Sequence, residues 1–193
     1  ISLSAWFSLI GIILGVSTLI IVMSVMNGFR TELIDRVLGL NGHLGVYENS
    51  GKFNDYNPYL IAISEIPGVK AVVPQVSGQG LLVSNQKSSG VIINGLRWTD
   101  LPAKIQLWDS LSNKKIETYN NNAILIGKKL ASRFNFAIGD EITLLTTEMQ
   151  VTAFGSVPKQ KKFIIEDVFD VGMYEYDNNF AFISLKNAQY LMG

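Results

Sequence analysis

No charged side chain occurs between Ile1 and Phe29. The apolar stretch from Ala5 to Met26 is interrupted only by Ser, Thr and Gly. A helix of about 22 residues spans about 33 Å, close to the ~30 Å hydrocarbon core of a bilayer. A cleaved leader has a shorter apolar region and a small-x-small cleavage site, which Val25-Met26-Asn27-Gly28-Phe29 does not provide. A buried core helix seldom lacks charge on every face. The pattern therefore predicts a transmembrane helix.

The small residues Ser4, Ser8, Gly11, Gly15 and Thr18 recur at alternating spacings of four and three, which places them on one helical face. Between helices in lipid, small residues let backbones approach and gain dispersion contacts. Ser8, Gly11, Gly15 and Thr18 are thus expected to form a helix-packing or acyl-chain face. Beyond the apolar run, Phe29, Leu33, Val37 and Leu40 share a side, with Arg30, Glu32, Asp35 and Arg36 largely elsewhere. That predicts an amphipathic stalk ending at Gly39 or at Asn41-Gly42.

The rest of the chain shows shorter periods. His43 to Tyr47 and Val69 to Val76 read as strands flanking a helix over Pro58 to Ile66, a β-α-β unit. Gly80 to Ser84 and Gly90 to Asn94 predict a hairpin around residues 85–89. Leu101 to Asn122 is ambiguous, with a turn at Asn120-Asn121-Asn122. Strands follow at Ala123 to Ile126, Glu141 to Thr146, Phe163 to Val171 and Phe180 to Ile183, with helices over Gly127 to Phe134 and Leu185 to Met192. From Thr147 to Lys162, Gly155, Pro158 and three lysines mix with the apolar Val151, Phe154 and Val157. A long hairpin loop with an exposed apolar tip fits this mixture, and loops of that length usually carry function.

Composition removes whole classes of function. Lys+Arg and Asp+Glu both total 16, so the net charge is zero, which argues against nucleic acid, whose binding needs a basic surface to displace counterions. There is no cysteine, hence no disulfide, thiol nucleophile or thiolate metal site. His43, the sole histidine, has no carboxylate partner at a useful spacing and is expected at a surface or strand edge. Glu166, Asp167, Asp170, Glu175 and Asp177 are expected to form a solvated strand face, because alternation sends neighbouring strand residues to opposite sides. Lys159, Lys161 and Lys162 make a small basic cluster. Gly78-Gln79-Gly80 lacks the dinucleotide-binding spacing, and neither a Walker sequence nor a serine elbow is present. No catalytic residue, cofactor or metal is expected. The chain starts at Ile1 rather than Met and its last helix has no following strand, so it is expected to be cut at both ends.

Several runs together resemble a family. Ile10-Gly11-Ile12-Ile13-Leu14-Gly15-Val16 and Ser24-Val25-Met26-Asn27-Gly28-Phe29 resemble the first transmembrane helix of the LolC/LolE-type permeases. Ile126-Gly127-Lys128-Lys129-Leu130-Ala131, Gly139-Asp140, the run from Gly155 to Phe163, and Gly172-Met173-Tyr174-Glu175-Tyr176-Asp177 extend the resemblance over most of the chain. The Ser-Val-Met-Asn-Gly-Phe run and the Gly-x-x-Pro-x-Gln-Lys loop are its specific parts. The Gly-Asp turn recurs across the wider MacB/FtsX-like superfamily.

This resemblance implies a MacB-type periplasmic core domain: an α+β periplasmic domain, with a porter-like βαβ lobe and an inserted sabre-like lobe, attached to an N-terminal transmembrane helix. The implied division is residues 1–27 for the membrane helix and 28–42 for the stalk. Residues 43–96 and 173–193 would form the porter-like lobe, and 97–172 the sabre-like lobe with a hook loop at 148–162. It implies a bacterial inner-membrane location, with residues after about 28 in the periplasm. The implied function is that of a non-catalytic permease subunit of an ABC transporter. It would extract acylated lipoproteins from the inner membrane and hand them to a periplasmic chaperone. The implied partners are a second permease subunit, a copy or a distinct one, a cytoplasmic ATPase dimer, the chaperone and the lipoprotein. Phe154, Gly155, Val157, Pro158, Gln160 and Lys161 correspond to the hook and its adjacent pad. Lys161 stands where Arg is usual, Ala153 where Pro often precedes the tip, and Ser156 where a basic residue is common. Lysine keeps the charge but loses the bidentate fork. The alternatives are a MacB-like efflux or export permease lacking the hook, an FtsX-like regulator of cell-wall hydrolases, and a membrane-anchored enzyme, which would need a convergent polar pocket.

Overall fold

The computed structural model describes residues 3–49, 51, 53–84, 87–114, 116–152 and 155–193. The chain divides into two compact units, residues 1–43 and 44–193.

The first unit is one helix, α1 (Leu3–Asn41), 39 residues long, or about 58 Å at 1.5 Å per residue. The segments expected to span the membrane and to form the stalk run through it without a break, and no Pro interrupts the sequence. It is long and apolar enough to cross a membrane. Thr18 and Thr31 return their hydroxyls to the carbonyls of Leu14 and Asn27, at 2.7 and 3.0 Å, so neither polar group is left unpaired in the helix. In the polar part Arg36 pairs with Glu32 one turn back at 2.8 Å. The helix ends at the second of the two expected stops, where the Gly42 N–H donates to the Leu38 carbonyl at 2.8 Å.

The second unit begins with α2 (Asn57–Ser64). The segments on either side of it, expected as strands at His43–Tyr47 and Val69–Val76, differ from that expectation. Residues 44–48 and 69–74 take no strand pairing, and strand structure starts only at Gln75. Alternation alone does not make a strand; a neighbour must accept its backbone groups, and none lies beside these segments among the described residues. Leu44, Val46 and Tyr47 are correspondingly exposed.

The sheet is a closed six-stranded barrel. Its strands are β1 (Gln75–Ser84), β2 (Lys87–Leu96), β3 (Ala123–Gly127), β4 (Glu141–Thr152), β5 (Gly155–Phe169) and β6 (Phe180–Ser184), in the order β1-β2-β6-β3-β5-β4. β2 and β6 pair in parallel, as do β3 and β5; the other neighbours are antiparallel. Strands expected in the porter-like lobe (β1, β2, β6) and in the inserted lobe (β3, β4, β5) therefore share one barrel, and the sheet does not part at residues 97 and 172. The reason lies in β3, whose five residues are all buried and which needs a partner on each side. It finds β5 on one side and β6 on the other.

Leu82, Val91, Ile93, Ile124, Ile126, Ile142, Leu144, Phe163, Ile165, Ala181 and Ile183 fill the interior. The ambiguous stretch after β2 becomes a 3-10 turn (Trp98–Ala103), α3 (Ile105–Ser110) and a second 3-10 turn (Ile116–Thr118). α4 (Lys128–Phe134) leaves β3, α5 (Tyr174–Asn179) precedes β6, and α6 (Leu185–Met192) follows it. α6 packs Leu185, Ala188 and Leu191 inward. Its seat is made by two glycines: a methyl on Gly95 would overlap the Ala188 methyl, and one on Gly78 would overlap the Met192 thioether.

The acidic stretch is not a uniformly solvated face. Asp167 and Asp177 are buried. Asp167 accepts the Asn113 N–H at 2.8 Å and the Tyr119 hydroxyl at 3.4 Å, pinning the irregular connection to β5. Burial and the Asp167 carboxylate push the Tyr119 phenol up. Asp177 lies on α5, not on a strand, and accepts the Val171 N–H at 2.9 Å. Burial raises its carboxyl above the ordinary value, whereas the Lys128 ammonium, 2.7 Å away, holds Asp170 below it.

A candidate docking arm

β4 and β5 outrun the barrel. β1 accompanies β4 only from Thr143 to Thr146, and β3 accompanies β5 only from Ile164 onward. The remaining pairs, from Met149↔Pro158 to Thr152↔Gly155, form a two-stranded arm with both edges open. Its β4 half, residues 147–152, is roughly 20 Å long at ~3.4 Å per residue. At its root the register steps from Leu145↔Gln160 to Met149↔Pro158, so three residues of β4 stand opposite Lys159 alone. Pro158 sits beside this bulge, on a strand whose other edge is open, where a missing N–H costs no ladder bond. At the far end Gly155 has φ +121°, a backbone that a side chain would strain.

Directly opposed residues of an antiparallel pair point to the same side. Met149, Val151, Ser156 and Pro158 therefore share one face of the arm, and Gln150 and Val157 the other. Met149 is 54% exposed, Val151 84% and Val157 44%. Gln160 continues the Met149 face, while Lys159 and Lys161 continue the Val157 face, which turns toward α6. Phe154, expected at the apolar tip, lies outside the described residues, as does Ala153.

Of the expected hook and pad residues that are described, Gly155, Val157 and Pro158 lie on the arm, and Gln160 and Lys161 lie at its root on opposite faces. Gln160 is exposed on one side. Lys161 is half-buried on the other, donating to the Asn187 carboxamide oxygen at 2.6 Å. Asn187 itself is buried and donates to the Asn121 carbonyl. Lys162 pairs with Glu141 at 2.6 Å. Met149 was absent from the expectation, although its spacing of two from Val151 carried the information once the segment is a strand and not a loop. Asn187 and Tyr190 were missed because their partners lie about 26 to 40 residues away in sequence.

On α1, Ser8, Gly11, Gly15 and Thr18 do share one face. No atom lies within 4 Å of where a Cβ on Gly11 or Gly15 would stand. His43 is exposed in the bend after α1. Among the described residues no group of three or more His, Asp or Glu converges on a point that could hold a metal ion.

The sequence matches known proteins over almost all of its length. Residues 5–193 match the MacB-like periplasmic core domain family. The chain is 31% identical over 95% of its length to the lipoprotein-releasing system transmembrane protein LolC of Neisseria meningitidis serogroup B, covering 45% of that protein. It is 29% identical over its whole length to the LolC of Xylella fastidiosa strain Temecula1, covering 47% of it. The chain thus spans about half the length of these curated relatives. Among solved structures, the periplasmic region of MacB from Actinobacillus actinomycetemcomitans aligns with 75% of the chain and 63% of its own, at 13% identity and a TM-score of 0.45. With an apolar N-terminal helix followed by an α+β domain, and a family match over almost all of its length, the chain belongs to the MacB-like periplasmic core domain family.

Proposed function

We propose that this chain is the N-terminal part of a permease subunit of a lipoprotein-releasing ABC transporter, and that its β4–β5 arm docks a periplasmic lipoprotein chaperone. The observation that carries this is the arm itself. A two-stranded projection with exposed apolar side chains occupies the Gly-x-x-Pro-x-Gln-Lys segment of a chain similar to proteins named for lipoprotein release. Exposed apolar side chains grouped on a projection mark an interaction site.

In this reading residues 1–27 span the inner membrane, residues 28–42 form the stalk, and the rest stands in the periplasm. The chain makes and breaks no bond. A partner ATPase dimer hydrolyses ATP, and closure there moves the periplasmic domains of two permease subunits through their stalks. The acylated lipoprotein leaves the bilayer between them and passes to the chaperone. Gly11 and Gly15 face a neighbouring permease helix or the acyl chains. Replacing both with Leu blocks close approach and reduces lipoprotein release while leaving membrane insertion intact; normal release by the double variant would overturn that assignment.

The docking test is surface-immobilised kinetics of the permease against the cognate chaperone at two ionic strengths. Deleting residues 151–158 should abolish measurable affinity. An unchanged affinity would remove the docking role and favour an export permease of the same superfamily.

A further inference from the structure

A two-stranded hairpin has little stability of its own in water. Among the described residues the arm has no third strand beyond Thr146 on one edge and before Ile164 on the other, and its root is a bulge. Its angle to the barrel must be set by something outside the sheet, and α6 alone among the described elements reaches it from the side. Four contacts do so. The Thr146 hydroxyl donates to the Leu191 carbonyl at 2.7 Å. The Lys161 ammonium donates to Asn187 at 2.6 Å. The Tyr190 hydroxyl donates to the Gln150 side chain at 3.2 Å, and the Lys159 ammonium lies 5.8 Å from the centre of the Tyr190 ring. Gln150 lies on the arm itself, Thr146 and Lys159 lie at its bulge, and Lys161 lies just on the barrel side of it, so α6 holds both strands at the root and one of them beyond it. The opposite face of α6 is sunk in the barrel core and seated on Gly95 and Gly78, so the helix ties the arm to the most rigid part of the molecule.

We propose that α6 is the clamp that fixes the angle of the arm, with Asn187 and Tyr190 as positioning residues for the docking surface. The inference rests on the docking reading above and assigns these residues no contact with the chaperone. Without the clamp the hairpin swings about its bulge, and only the fraction of molecules in the docking orientation binds. Association slows in proportion, while the contacts made after docking, and hence dissociation, stay as they were.

This segment has no cysteine, so nitroxides can be placed cleanly at Val151→Cys and Lys129→Cys in a cysteine-free full-length permease held in nanodiscs. Pulsed electron resonance then reads the distance from arm to barrel, and stopped-flow on the corresponding unlabelled proteins, with Val151 and Lys129 intact, reads chaperone association. The unmutated protein should give one narrow distance distribution. Asn187→Ala with Tyr190→Ala should broaden it and slow association about three- to tenfold, with dissociation changed less than twofold. Tyr190→Phe keeps the ring beneath Lys159 and should restore most of both. Asn187 is buried, so if the double variant fails to fold, Tyr190→Ala alone serves, since Tyr190 is 48% exposed. An unchanged distance distribution overturns the clamp. A broadened distribution with unchanged association overturns the positioning role. Absence of docking by the unmutated protein overturns the proposed function, and the distance measurement still decides the clamp.

Discussion

β4 and β5 are each two things along one strand. From Glu141 to Leu145 and from Phe163 to Phe169 they are walls of a barrel, and Ile142, Leu144, Phe163 and Ile165 alternate into its core. From Met149 to Thr152 and from Gly155 to Pro158 they are less apolar, and the apolar residues they do carry, Met149, Val151 and Val157, all stand in solvent. Backbone pairing continues across the boundary; the third neighbour does not. Burial of an apolar side chain thus follows the presence of β1 and β3 alongside. In the barrel an apolar side chain stabilises the fold. On the arm it is available to a partner.

The widest separation between the two halves should appear in stability. Phe163→Ala removes a fully buried ring and should cost about 3–5 kcal/mol, whereas Val151→Ser should stay within about 0.5 kcal/mol. Urea unfolding of the two variants measures this, and similar costs would mean that the arm is part of the cooperative unit. A smaller effect is expected where α6 meets the barrel. Gly95→Ala should lose about 1–3 kcal/mol by overpacking against Ala188, and the same unfolding experiment reads it.

Binding should reverse the ranking. Burying a Phe side chain contributes about 1.5–3 kcal/mol, so Phe154→Ala should weaken chaperone binding roughly ten- to a hundredfold, mainly through faster dissociation and with little salt dependence. Lys161→Glu should instead slow association, with an effect that shrinks at high salt. Because Lys161 is gripped by Asn187, part of its loss should persist at high salt. Kinetics at two ionic strengths separate these contributions.

The smallest expected effect concerns Asp177, at the barrel end remote in sequence from the arm. Its folded-state carboxyl is raised above the ordinary 3.8 by burial. A raised acid contributes most below the unfolded value, and that contribution is lost as pH rises through the folded value. Asp177→Asn should therefore raise the Tm at pH 7, as thermal unfolding at several pH values measures. The gain should fade toward pH 4. A gain that grew on acidification would contradict the sign.

How far the sequence foretold this differs along the chain. α1, the β1–β2 hairpin, β3, α4, β6 and α6 were all legible, since each carries its period within its own residues. The strands expected around α2 were not realised, because alternation in Leu44–Tyr47 says nothing about whether a partner strand is at hand. α5 was missed because Tyr174–Asn179 is too short and polar to show a helical stripe. The segment from Thr147 to Lys162 was legible as exceptional through Gly155 and Pro158, but its two faces were not. Gln160 and Lys161 are neighbours in the chain, and only the strand assignment shows that they point apart. The grip of α6 on the arm was invisible for the reason that long-range contacts usually are.

The bulge at Thr146–Glu148 has an evolutionary corollary. It places two more residues on β4 than on β5, and an even number leaves the in-and-out phase of the strand intact. The arm is consequently tolerant of length change in steps of two and intolerant in steps of one. Adding a single residue at position 147 would turn Met149 and Val151 inward toward α6 while Pro158 stayed outside, dismantling the outer apolar face without altering any residue in it. Insertions and deletions, more than substitutions, are the changes this strand cannot absorb.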